Sequence, residues 1–137
     1  MAPFSPPPSP ERFWSVAKNL PSDPDLGQGL DPEALASGLR QLSHSEGVLA
    51  LIVFGSRARG EARLSSDLDL AVICREASLS PEMKTSRWAQ YRQVLGAVGQ
   101  DVDLLVMGRA DATRMAGSRW HVMGDVAREG RVLYAAC

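Results

Sequence analysis

Two acidic pairs and one glycine–serine turn are the parts of this sequence best suited to chemistry. Asp67 and Asp69 flank Leu68 in Ser66-Asp67-Leu68-Asp69-Leu70. Residues two apart on a strand share a face, so these carboxylates stand side by side while Leu68 and Leu70 turn to the core. Carboxylates that close repel each other unless a cation sits between them. Hard oxygen donors with open positions for phosphate oxygens suit Mg²⁺ or Mn²⁺. Asp101-Val102-Asp103 is a second acidic pair, at the start of another apolar run. If that strand lies beside the first, one of its carboxylates completes a two-metal site. Asp103 is preferred because the apolar run follows it at once, whereas Asp101 sits at the exposed beginning; the choice between them stays open. Gly55-Ser56 ends the apolar run Val48 to Phe54. A residue without Cβ lets the backbone turn there and a ligand approach. The amides that follow, the Ser56 hydroxyl and the nearby Arg57 and Arg59 make a cradle for phosphate oxygens, with Arg63 and Glu61 on the same charged stretch.

The elements that must hold these groups are legible from periodicity. Val48 to Phe54, rich in β-branched and apolar residues and stopped by Gly55, reads as a buried strand. Leu68 to Cys74 and Val102 to Met107 read as two more, and Val132 to Tyr134 as a short fourth. Asp31-Pro32-Glu33 is an N-cap, a first-turn proline and an acid ahead of Leu35, Leu39 and Leu42, which predicts a helix ending near Gly47. Ser80-Pro81-Glu82 repeats the pattern ahead of Trp88, Tyr91, Leu95 and Val98, with an end near Gly99. A last helix is expected over Ser118 to Arg128. Alternating strands and helices define a layered α/β (α+β) domain with a mixed sheet flanked by helices.

Composition sets outer bounds. The 137 residues suffice for one domain, and 45% apolar with 23% charged residues is ordinary for a globular chain. No apolar run is long enough to span a bilayer, and prolines interrupt the N-terminus where a secretory signal would be continuous, so no membrane is involved and a cytoplasmic protein is expected. Cys74 and Cys137 read as free thiols, buried and exposed. A net charge of −1 gives no general basic footprint, so nucleic acid is not indicated as a partner. Eight of the nine prolines lie at or before Pro32. Residues 1–30 therefore read as a proline-rich, partly disordered arm ahead of a domain over residues 31–137. Within the arm Glu11 to Leu20 is expected to form a short helix presenting Phe13, Trp14 and Val16, which must dock somewhere. His44 and His121 read as structural or surface residues, and Trp88, Tyr91 and Tyr134 as packing.

Gly55-Ser56, ten residues, then Asp67-Leu68-Asp69 resembles the signature of the DNA polymerase beta-like nucleotidyltransferase superfamily, and specifically its minimal nucleotidyltransferase (MNT) branch. Phe54-Gly55-Ser56-Arg57-Ala58-Arg59-Gly60-Glu61-Ala62 and Arg128-Glu129-Gly130-Arg131-Val132-Leu133-Tyr134 are similar to that branch too, so the resemblance runs from about Val48 to Tyr134. It implies the polymerase beta-like fold, triphosphate binding by Gly55 and Ser56, divalent metals on Asp67 and Asp69, and Asp103 as third carboxylate, assisting deprotonation of an acceptor hydroxyl. It further implies nucleotidyl transfer with ATP as substrate. The expected setting is an MNT antitoxin that adenylylates a tyrosine of a HEPN-type toxin. Transfer to a small molecule of aminoglycoside type or to RNA, completed by a homo-oligomer or a separate subunit, and neutralisation of a partner by binding alone are the alternatives. Arg63-Leu64-Ser65-Ser66 departs from the branch pattern before the acidic pair, and the arm has no counterpart in it.

Overall fold

The computed structural model describes residues 12–136, with the backbone alone at Arg12 and Phe13. A four-stranded mixed sheet in the order β3-β2-β1-β4 is its centre. The strands are β1 (Val48–Phe54), β2 (Leu68–Cys74), β3 (Val102–Gly108) and β4 (Arg131–Ala135). β1 runs antiparallel to β2 and β4, while β2 and β3 run parallel and are joined through a helix, as a parallel pair requires. Apolar residues fill both faces of β1 and, apart from Asp69, of β2, which explains their long apolar runs.

Helices α2 (Pro32–Ser43) and α4 (Pro81–Leu95) cover one face. Asp31 caps α2 by accepting from the amides of Glu33 and Ala34, and Ser80 caps α4 through the Met83 amide. Leu35, Leu39 and Leu42 of α2 and Tyr91 and Leu95 of α4 pack with Val53, Leu68, Leu70, Val72 and Leu104. The other face carries α5 (Arg109–Met115) and α6 (Val122–Glu129), whose Ala112, Met123 and Val126 pack on Ile52, Phe54, Ala71, Ile73 and Met107. A single-turn helix, α3 (Ser56–Arg59), follows β1 directly.

Several elements differ from the sequence expectation: α2 and α4 stop at Ser43 and Leu95, ahead of the expected ends near Gly47 and Gly99, and α3 was not foreseen. α5 was not foreseen, because Ala112 and Ala116, the residues it buries, are too small to mark a helical face. α6 begins at Val122 instead of Ser118, since the Ser118 hydroxyl takes the Trp120 amide in a turn and the His121 ring nitrogen then caps the helix at Met123. The first helix, α1, covers only Arg12–Ser15; Glu11 and the Phe13 side chain lie outside the description. Trp14 is buried against the second core cluster, while Val16 faces solvent. The helix stops because Lys18 exchanges backbone hydrogen bonds with Ala135 and covers the edge of β4. Leu26 is also a core residue, so part of the stretch expected as an arm is built into the domain. The expectations of disorder before residue 12 and of an exposed Cys137 fall outside the described residues. Cys74 is free and buried. Among the described residues no helix is long and apolar enough to cross a membrane.

Candidate active site

The site residues meet where β1 ends and β2 and β3 begin. Phe54 pairs with Asp69 across the antiparallel ladder, and Asp69 pairs with Asp103 across the parallel one. Partners in register put their side chains on the same face, here the α5/α6 face at its open end. Asp103 therefore stands beside Asp69. The adjacency that the sequence left conditional is a property of the sheet order. Asp101 precedes β3, is exposed, and enters the ladder only through its carbonyl, which accepts the Leu68 amide.

Burial pushes the Asp69 carboxyl above its ordinary range, and the charges of Asp103 and then Asp67 push it further. Arg59 opposes that rise, and Glu129 adds to it. None of Asp67, Asp69 and Asp103 has a side-chain hydrogen bond or ion pair among the described residues. Asp69 is thus close enough to feel both Asp103 and Asp67, and no side-chain hydrogen bond or ion pair among the described residues offsets them.

Gly55 has φ 71° and ψ −157°, a region open to glycine alone. A Cβ there would run into the Asp69 carboxylate. The turn after β1 is in this way pressed against the acidic pair, and a substituent of any size would separate them. The amides of Ser56 and Arg57 open α3 and have no acceptor within it. Oxygen donors of this kind fit a hard divalent cation. Among the described residues no three His, Cys, Asp or Glu side chains close around one point. Asp69 and Asp103, in register in the ladder, supply carboxylate oxygens of the kind Mg²⁺ takes, since it is held by one or two carboxylates together with substrate phosphates.

The arginines part company. Arg59 is exposed and pairs with Glu61 at 3.2 Å and with Glu129 of α6 at 2.9 Å, contacts that hold its guanidinium above the ordinary value. A phosphate reaching Arg59 has to compete with those two carboxylates. Arg57 is 1% exposed and its guanidinium points inward, where burial lowers its pKa and the charge of Asp67 partly restores it. All five of its N–H donors are used on carbonyls, those of Leu26, Gln28, Arg63 and Ser66. As placed, Arg57 offers no donor to a phosphate. Arg63 is exposed. A cleft of about 390 Å³ opens beside α3, lined by Asp25, Gly27, Arg59, Gly60, Ala62 and Arg131 among others; it borders the cradle but does not contain the acidic residues.

Sequence reasoning passed over Glu129 and residues 26–29. Glu129 stands in the motif at the end of α6 and could have been noticed as a charge near the site. For residues 26–29 the signals were Gly27 and Gly29, both at positive φ.

The opposite end of β2 holds a second buried polar group. Arg87 pairs with Glu76 and donates to the Tyr91 hydroxyl, which in turn donates to the Glu46 carbonyl at 2.7 Å. Burial raises the Cys74 thiol and the Tyr91 hydroxyl, so neither is ionised near neutral pH. These groups stabilise structure and lie a strand's length from the acidic cluster.

A mixed sheet whose second and third strands bring carboxylates into register beside a glycine–serine turn is the arrangement of a nucleotidyltransferase. The sequence matches the family described as Polymerase beta, Nucleotidyltransferase over residues 39–135, and the chain belongs to that family. Among solved structures it is similar to one described as a toxin-antitoxin with AMP-PNP, at 19% identity, TM-score 0.47 and coverage of 72% of each chain. It is also similar to a Sulfolobus solfataricus protein assigned provisionally as a nucleotidyltransferase, at 18% identity and TM-score 0.41, covering 80% of this chain and 93% of that one. No curated protein matches the chain at a significant level.

Proposed function

We propose that this protein is a metal-dependent adenylyltransferase of the MNT type, moving AMP from ATP to a tyrosine hydroxyl of a HEPN-type toxin and so acting as its antitoxin. The observation that carries the enzymatic part is the Asp69–Asp103 register beside Gly55, within a family of nucleotidyltransferases. The MNT-like motifs around Gly55, Asp67 and Gly130 support the finer assignment.

In this reading Ser56 and the amides that open α3 hold the triphosphate, and Asp67, Asp69 and Asp103 hold Mg²⁺ or Mn²⁺. The cation, when bound, offsets the charge of carboxylates and triphosphate and favours attack at the α-phosphorus. The acceptor oxygen bonds to that phosphorus, and the bond to the β-phosphate oxygen breaks. Pyrophosphate leaves with its electron pair, and the hydroxyl proton passes to the Asp103 carboxylate. The adenylate adds a negative charge to the toxin surface, where it opposes an anionic substrate.

The test is intact-mass spectrometry of the toxin encoded beside this chain, after incubation with the protein, ATP and Mg²⁺. The expected result is one adenylate on a tyrosine, absent with Asp67→Asn. Neutralisation without a mass change, and equally by Asp67→Asn, would mean that the protein acts by binding alone.

A further inference from the structure

Residues 26–31 lie upstream of the family match, which begins at residue 39, yet they touch both loops that deliver the acidic residues. On one side Arg57 joins them to the loop before β2. Its guanidinium donates to the carbonyls of Leu26 and Gln28 at 2.9 Å each, and to the Ser66 carbonyl at 2.7 and 3.1 Å, one residue before Asp67. Gly29, at φ 94°, is pressed on the same loop so closely that a Cβ would run into the Leu64 carbonyl. On the other side the same segment is tied to the loop before β3. Gln100 donates to the Gly29 carbonyl at 3.1 Å, and the Asp31 amide donates to the Val98 carbonyl at 2.8 Å.

We propose that residues 26–31 are a positioning strap, fastened by Arg57, that fixes the separation of the two strand ends carrying Asp67 and Asp69 on one side and Asp103 on the other. Three features support this. A buried arginine with no carboxylate partner is costly unless its donors are satisfied, and here every donor is spent on joining segments remote in sequence. β2 and β3 pair in parallel, so no hairpin joins their beginnings, and ahead of the Leu68–Asp101 hydrogen bond the two incoming loops meet through the strap. Gly29 leaves no room for a Cβ against the Leu64 carbonyl, so the strap is packed on the loop before β2 as well as hydrogen-bonded to it. The Arg57 side chain acts through the strap, with every donor spent on main-chain carbonyls, so its role is one of positioning.

The catalytic consequence rests on the transferase reading, but the tether itself does not. The experiment is therefore hydrogen exchange on the full chain, read together with steady-state transfer, for Arg57→Lys, Arg57→Met and Gly29→Ala. No hydrogen bond joins the Arg57 side chain to residues 98–103, so exchange there reports transmission through the strap. We expect exchange to accelerate about tenfold or more over residues 26–31, 60–67 and 98–103, with β1 unchanged, since only local opening is made easier. Transfer should lose on the order of tenfold to 100-fold in kcat with little change in KM for ATP, as misplacement by about 1 Å can produce. Arg57→Lys should retain more of both than Arg57→Met. Gly29→Ala reaches the strap without removing a buried charge, so it decides the matter if the arginine variants do not fold. Unchanged exchange at 98–103, or acceleration spread evenly over the core, would overturn the proposal. If the parent protein transfers nothing, the reading of function fails while exchange at 98–103 still decides the tether.

Discussion

Replacing Gly55 by alanine isolates the contact on which the site geometry depends. Two costs act together. The backbone at φ 71°, ψ −157° is open to glycine alone, and holding alanine there costs about 1–3 kcal/mol. At this chain length about 1 kcal/mol lowers Tm by about 4 °C, so a fall of about 4–12 °C is expected in a thermal melt. The new methyl also meets the Asp69 carboxylate, which has to yield by about 1 Å; a displacement of that size lowers turnover on the order of 100-fold. Gly60→Ala is the matched control. Gly60 lies in the left-handed region at φ 75°, ψ 19°, where alanine costs about 1–2 kcal/mol, and nothing lies within 4 Å of its missing Cβ, so it should lose stability through the backbone alone and keep nearly parental pyrophosphate release. Parental turnover in Gly55→Ala, or equal activity losses in the two variants, would refute the placement of Asp69 against the turn.

Asp69→Asn is expected to abolish transfer and to raise Tm at neutral pH. The folded-state carboxyl is raised by burial, then by Asp103 and Asp67, so ionising it opposes folding. That cost is absent below the ordinary carboxylate range and appears as pH rises through it toward the raised value. The melting curves of parent and variant should therefore converge near about pH 3 and separate above it; a variant no more stable at pH 7 would count against the charge cluster. Asp103→Asn should reduce transfer on the order of 10²-fold or more while Asp101→Asn leaves it near parental, and equal losses would count against the register argument.

The strands were readable because β1 and, apart from Asp69, β2 are apolar on both faces and buried. α2 and α4 were readable from Asp31-Pro32 and Ser80-Pro81, where the capping oxygen and the proline each leave a mark in the sequence. α3 and α5 were not, since four residues show no period and alanines show no face. The acidic spacing pointed to the candidate site, but strand order lies in no local pattern, so the pairing of Asp69 with Asp103 needed the fold. Arg57 shows the limit most plainly. Its position beside Ser56 suggested a phosphate contact, yet its acceptors are main-chain carbonyls, which every residue possesses and no sequence distinguishes.

If Asp67, Asp69 and Asp103 gather a divalent cation and a triphosphate at the Gly55-Ser56 turn, nucleotide binding depends on the metal and on these carboxylates. Calorimetric titration with ATP, with Mg²⁺ and then with chelator, tests it most directly, for the parent, Asp69→Asn and Asp103→Asn. Tight binding is expected only for the parent in Mg²⁺, because carboxylates and triphosphate repel without the cation. Equal affinity in chelator, or undiminished Mg²⁺-dependent binding in both variants, would contradict it.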